Sequence, residues 1–396
     1  MKILVTDGNS LPCLAITRSL SKAGHKVITG YQKKSCLAAY SKHTSAHCIY
    51  PDPVTQSATF IDFLLDYIEY NKIDALFPVT DITTIPISKH KAQFEEHCKI
   101  PFGNFDTVDK AANKVDIIKL AESIDIDTPS SIIINNYDEL DCTKINLGFP
   151  LVIKPARSRI LTENGWVFTT VTYANDEADL KNKLKQFQSE IFPVLLQERI
   201  TGPALGIFMC FDKDKLVAAF SHKRIREKPP SGGVSVLRES VALDPLAYEF
   251  SEKLLSAIQW QGVAMVEFKI DLRDQRPKLM EINGRFWGSL QLSIDSGVNF
   301  PLLLANMLEN KPTQFINDYK LGVKTRWLWG DIDALLIRMI KNRKALQLPP
   351  NSDSKLLYLI KFLKIREKDL YYEVLKWNDI KPWLFESYQW LRHWFK

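Results

Sequence analysis

The order of apolar and polar positions divides the chain into three stretches. Over residues 1–110, apolar runs at 3–6, 27–29 and 75–79 read as buried strands. Between them, residues 11–23, stopped by Gly24, and residues 60–70 carry apolar positions at helical spacing. Strands alternating with helices predict a parallel sheet with helices on its faces. The pattern is then helical from 105 to 126, where Pro129 breaks it. Strands are predicted at 132–134, 151–154, 166–171, 194–198, 206–211, 216–220, 262–271 and 278–282, with helices at 174–189, 245–259 and 289–309. Here strands outnumber helices, which points to mixed or antiparallel sheets. Residues 331–344 and 353–376 read as amphipathic, basic helices. The expected organisation is an α/β N-terminal parallel-sheet domain (1–110), an α+β domain (111–312) and a mainly helical C-terminal extension (313–396).

Composition narrows the class. Hydrophobic residues make up 45% and charged residues 25% of the 396, which excludes a disordered or collagen-like chain. Six scattered cysteines without a C-x-x-C pair read as reduced thiols, not as a disulfide framework or zinc site. His43 and His47 have helical metal-pair spacing but no third ligand nearby. The first apolar run is cut by Asp7, too short for a signal peptide, and nothing approaches the ~18 apolar residues of a membrane span. The expected location is cytoplasmic. The turn Asp7-Gly8-Asn9-Ser10 after the first strand lacks the G-x-G-x-x-G fingerprint, which favours a structural or substrate-facing domain over a nicotinamide site.

Charge is uneven. Residues 320–396 hold 16 Lys/Arg and 8 Asp/Glu, +8 of a chain total of +6. Six of nine tryptophans lie there too: Trp327, Trp329, Trp377, Trp383, Trp390 and Trp394, the last followed by Phe395. Two readings stay open: peripheral attachment to the inner face of an anionic membrane, or a helical lid or homodimer contact packed on the main body.

The candidate chemistry centres on Glu267 and on Glu281-Ile282-Asn283-Gly284-Arg285. In extended backbone Glu281, Asn283 and Arg285 face one side, while Met280 and Ile282 face a core. Glu267 reaches the same face if its strand pairs with theirs as a hairpin. Two carboxylates and an amide oxygen form a hard, all-oxygen set suited to Mg²⁺ or Mn²⁺. Arg285 adds a donor fork for phosphate or carboxylate. The basic stretch Ser221–Ser235, with Arg224 and Arg226 before Gly232-Gly233, reads as a loop that closes on an anion.

Together these motifs resemble the ATP-grasp superfamily, in the branch of biotin carboxylase and the large chain of carbamoyl-phosphate synthase. The resemblance covers about residues 1–310. Lys114, in Asp109-Lys110-Ala111-Ala112-Asn113-Lys114, matches the first nucleotide lysine, and Lys154, in Phe149-Pro150-Leu151-Val152-Ile153-Lys154, the second. Leu196-Gln197-Glu198-Arg199-Ile200 matches the linker that takes the adenine edge through a Glu and backbone groups, which assigns Glu198 and Ile200 to nucleotide binding. Two departures stand out. The loop after Lys154 has Arg157, Ser158 and Arg159 in place of glycines, side chains that would supply phosphate donors instead of backbone amides, and Ala204 stands where the family often has a ribose-binding acid. The resemblance implies an ATP-grasp fold of two sub-lobes. It also implies an ATP- and Mg²⁺-dependent, ADP-forming carboxylate–amine ligase acting through an acyl phosphate. Its substrates would be a small-molecule carboxylate and amine, with no nucleic acid, in peptide-like or surface-polysaccharide biosynthesis. The competing expectations are an ATP-binding, membrane-associated assembly factor without ligase activity and a phosphotransferase.

Overall fold

In the computed structural model, residues 1–162, 165–230, 232–346, 348 and 352–394 are described. The first sheet holds β1 (Lys2–Val5), β2 (Lys26–Tyr31), β3 (Ala46–Ile49) and β4 (Ala75–Phe77). Their order is β3-β2-β1-β4, and every pair is parallel. Ile3, Leu4 and Val5 have no exposed surface, as expected of a strand covered on both faces. The edge strand β3 escaped the apolar pattern because, of its four residues, only Cys48 is buried. Strand order reverses at β1: its next strand, β2, lies on one side and β4 on the other. A ligand crevice in such sheets opens beyond the carboxyl ends at that reversal.

The second sheet is antiparallel. It contains β5 (Ser131–Ile134), β6 (Leu151–Pro155), β9 (Thr172–Ala174) and β10 (Val194–Gln197), in the order β5-β10-β6-β9. Between β6 and β9 lies a separate hairpin, β7 (Arg159–Thr162) and β8 (Gly165–Phe168). The helical run before this sheet is two helices, Phe105–Ala112 and Lys114–Ser123. Asn113 separates them and caps the second, its Oδ1 accepting from Val115 N at 3.1 Å. Because asparagine is a good N-cap, the break leaves the apolar period intact, and it sets Lys114 in the first helical turn.

The third sheet has seven strands: β11 (Ala204–Asp212), β12 (Lys215–Lys228), β13 (Val234–Ser240), β14 (Gly262–Ile270), β15 (Pro277–Asn283), β16 (Lys324–Arg326) and β17 (Leu370–Tyr372). Their order is β15-β14-β11-β12-β13-β16-β17. All pairs are antiparallel except β16 with β17. The stretch expected as one helix over 353–376 is thus a shorter helix, Lys355–Phe362, and the strand β17. Arg366-Glu367-Lys368-Asp369 offers no apolar side chain to continue the helix, and Asp369 turns the chain with φ 62°.

The C-terminal segment is packed onto the body. Trp327 Nε1 donates to Glu386 Oε1 at 2.7 Å, Trp329 stacks on Trp390 at 4.3 Å, and Phe385 stacks on Tyr40 at 4.5 Å. Trp327, Trp329, Trp383 and Trp390 are partly buried, while Trp377 is exposed; Phe395 lies outside the described residues. These four indoles are packing residues. Buried ion pairs bind the same segment to the rest: Arg18 to Asp379 at 2.8 Å, Arg238 to Glu373, and both Arg226 and Arg326 to Asp331. Among the described residues no helix is long and apolar enough to cross a membrane.

Candidate active site

Strands β14 and β15 pair as the hairpin that the carboxylate cluster requires, with Glu267 directly opposite Glu281. The register slips immediately afterwards, because Phe268 pairs with Leu279 and Met280 is the extra residue of a bulge. This corrects the expected alternation. Leu279 and Ile282 are the core residues, and the Met280 sulfur instead lies 3.6 Å from Lys154 Nζ. Asn283 Nδ2 donates to Glu281 Oε1 at 3.1 Å, and Arg285 Nη2 donates to Asn283 Oδ1 at 3.2 Å. Lys114 Nζ sits 3.3 Å from Glu281 Oε2 and donates to Ser158 Oγ at 2.9 Å. Arg224 Nη2 donates to Glu267 Oε2 at 2.5 Å. The strands and the first turn of a helix therefore gather Glu267, Glu281, Asn283, Arg285, Arg224, Lys114, Lys154 and Ser158 in one place. Gly284 belongs to the scaffold: a Cβ there would lie 2.4 Å from the Trp260 ring.

The two carboxylates differ in character. Burial and the facing Glu281 push the Glu267 carboxyl up, with Arg224 opposing. Burial also acts on Glu281, but Lys114, Asn283 and Lys154 hold it at about 2. Lys154 is pushed down to about 8, first by burial and then by the Lys114 charge, with Glu281 opposing. Its ammonium is present below that value and lost above it. Affinity for ADP is accordingly expected to be flat up to about pH 7.5 and to weaken several-fold by about pH 9, as followed by isothermal titration. Lys154→Arg, which keeps its charge throughout, should flatten that profile. A wild-type profile already level through pH 9 would remove the ammonium from nucleotide binding.

Arg226 points elsewhere, while Arg157 and Arg159 line the same cleft as Lys114, Glu281 and Asn283. A register shift in β12 between Arg224 and Arg226 breaks their alternation, so the two do not share the site. Arg226 is buried, and its Nε and Nη2 donate to Asp331 at 2.7 and 2.5 Å. Its expected role in closing on an anion does not fit this placement. Arg224 and Arg226 also lie in a strand, not in a loop; Ser231 lies outside the described residues. Arg157 is held bidentately by Asp109 at 3.2 and 2.6 Å, and Arg159 covers the Phe168 ring at 4.7 Å. Of these three residues, Ser158 is the one that touches Lys114.

The linker after β10 is fixed by contacts of its own. Glu198 is tied down, accepting from Ser130 N at 3.0 Å and pairing with Arg273 Nη1 at 2.8 Å. The Ile200 carbonyl takes a long contact from Lys269 Nζ at 3.4 Å. Gly202 is required by close packing, since a Cβ there would overlap the Ile270 carbonyl at 1.8 Å.

The N-terminal sheet supplies groups that the motif reading missed. Arg285 Nε donates to Asp81 Oδ1 at 2.7 Å. Asp81 follows β4, and Asp7 follows β1, so both stand at the reversal of strand order. Asp7 has φ 57° and accepts from Thr83 Oγ1 at 2.6 Å and Thr80 N at 2.9 Å; burial pushes its carboxyl up. A non-glycine residue in the left-handed region marks a turn that its surroundings hold in place. The signal available in the sequence was position, an acid just past each of two buried parallel strands, and not any motif.

The donor set fits a divalent cation. Glu267 and Glu281 face each other across a strand pair as hard oxygen donors, and Asn283 stands beside Glu281 with its amide nitrogen toward that carboxylate and its amide oxygen toward Arg285. Mg²⁺ is held by few protein oxygens of this kind, with phosphate and water completing its octahedron.

Comparison with known proteins places these features in context. Residues 190–330 match a family model described as ATP-grasp in the biosynthetic pathway with Ter operon. D-aspartate ligase of Enterococcus faecium (strain Aus0004) is 23% identical over 332 residues, 77% of this chain and 76% of that protein. The crystal structure of L-amino acid ligase from Bacillus licheniformis superposes with a TM-score of 0.61 at 17% identity, covering 78% of this chain and 74% of that one. A biotin carboxylase–β,γ-ATP complex from Campylobacter jejuni gives 0.63 at 17% identity, covering 82% and 74%.

Proposed function

We propose that this chain, which has the ATP-grasp fold, is an ADP-forming carboxylate–amine ligase that works through an acyl phosphate. The observation that carries the reading is the meeting of Glu267, Glu281, Asn283 and Arg285 with Lys114 and Lys154 in one cleft. Glu267, Glu281 and Asn283 would hold Mg²⁺, which when bound neutralises phosphate charge and orients the triphosphate. Lys114 and Lys154 bind phosphate oxygens, with backbone groups around Glu198 and Ile200 facing the adenine edge. A carboxylate oxygen of the substrate attacks the γ-phosphorus, the bond to the ADP oxygen breaks, and an acyl phosphate forms. Arg285 and Arg224 stabilise the negative charge spread over the moving phosphoryl group. The amine nitrogen then attacks the acyl carbon and phosphate leaves, carrying away the surplus proton.

The names of the similar proteins support an amino acid as the acyl donor, with D-aspartate the first to test. Peptide-like or surface-polysaccharide biosynthesis would consume such an amide. The decisive assay incubates the chain with ATP, Mg²⁺, hydroxylamine and a panel of amino acids. Hydroxamate formed in step with ADP is the expected result. ADP without hydroxamate, paired with a stable phosphorylated product, would instead identify a phosphotransferase. Absence of nucleotide binding in a titration calorimeter would sink both.

A further inference from the structure

In the C-terminal segment Trp327, Trp329, Trp383 and Trp390 are partly buried, whereas a group of aliphatic side chains is exposed. The helix Lys355–Phe362 docks through Tyr358 and Phe362. Tyr358 is buried, and the Phe362 ring lies 4.3 Å from the Arg326 guanidinium. The opposite side carries Leu356, Ile360 and Leu363, at helical spacing, exposed by 67%, 50% and 61%. Leu357 and Ile365 add to them, and so does Ile340, 76% exposed at the end of the helix Leu328–Ile340. The two helices are joined there, since Lys355 Nζ donates to the Met339 carbonyl at 2.6 Å. An amphipathic helix normally buries such a stripe against its own protein. This one presents it outward.

The surrounding charge identifies the occupant. Residues 340–368 hold eight Lys/Arg (341, 343, 344, 355, 361, 364, 366 and 368) against Asp353 and Glu367. That surplus of +6 equals the formal net charge of the whole chain, so the remainder is balanced. Lys341, Lys344, Lys364, Arg366 and Lys368 are exposed. Protruding aliphatic side chains ringed by cations match an anionic lipid surface: the apolar stripe enters the headgroup boundary while the cations meet phosphate and carboxylate. A nucleic acid would use the charge but not the leucines and isoleucines, and the exposed stripe offers no aromatic ring on which a base could stack.

We propose that this face seats the protein on an anionic bilayer surface, as a peripheral contact that does not span it. The test is co-sedimentation of the full chain with vesicles of phosphatidylcholine alone or with about 30% phosphatidylserine. Binding is expected only to the anionic vesicles and should weaken as salt rises. Lys364→Glu with Arg366→Glu should lower partitioning at least 25-fold, about fivefold per cation. Ile360→Asp with Leu363→Asp should abolish it; both positions are exposed, so circular dichroism and the melting temperature should stay those of the parent. Three outcomes overturn the proposal. One is no sedimentation with anionic vesicles, and another is binding that the Asp pair leaves unchanged. The third is a parent dimer in sedimentation velocity that the Asp pair converts to monomer, which would assign the face to a second copy of the chain.

Discussion

Glu281→Gln is expected to reduce ATP-dependent ADP formation by at least about 10³-fold, roughly 4 kcal/mol of activation free energy. The substitution keeps the shape of the side chain and its hydrogen bond with Asn283, and removes one charge. That charge opposes Lys114 at 3.3 Å and also favours the charged form of Lys154. Without it the two lysines face each other with less compensation, and a divalent cation keeps only Glu267 as an anionic ligand. Binding and chemistry can be separated with Mn²⁺ as the probe. Its affinity in the presence of ADP, read by electron paramagnetic resonance, should fall together with turnover. Full turnover with unchanged Mn²⁺ affinity would mean that the metal site has been misplaced.

The largest effect on stability is expected at Asp331, far from that chemistry in sequence. Its carboxylate has no exposed surface and receives both Arg226, at 2.5 Å, and Arg326, at 2.6 Å. Asp331→Ala would leave two buried guanidinium groups short of their anion, a change that costs about 3–5 kcal/mol. At about 2–4 °C per kcal/mol for a cooperative unit of 150–250 residues, the melting temperature should drop on the order of 10 °C. Protein that stays folded at low temperature should keep its nucleotide affinity, because Arg226 is paired with Asp331 and not with the residues around Lys114 and Lys154. An unaltered melting temperature would show that this buried network contributes nothing net. Replacing Asp331 and both arginines together by apolar residues is a separate matter, since buried ion pairs often exchange for packing at little cost.

Much of the site was legible because its chemistry lies in local spacing. Glu281, Asn283 and Arg285 stand two apart at the end of one strand, and the strand period brings them together whatever the rest of the chain does. Lys114 and Lys154 were readable only through an ordered set of motifs, since either alone looks like a surface lysine. Arg226 shows where spacing fails. It lies two residues after Arg224, yet an irregularity in β12 turns it toward Asp331, and no local pattern announces such a shift. The bulge at Met280 misled the reading in the same way, moving the core position to Leu279.

By itself the sequence determined the parallel N-terminal sheet, the antiparallel strands that follow, and the candidate acids and lysines, because apolar period and motif order are properties of neighbouring residues. Tertiary structure decided which cations reach the cleft, that Asp81 of the N-terminal sheet holds Arg285, and that most of the C-terminal tryptophans face inward while a leucine–isoleucine stripe faces out. Those outcomes depend on contacts between segments as much as 200 residues apart, where burial and charge pairing, not local propensity, set the orientation of each side chain.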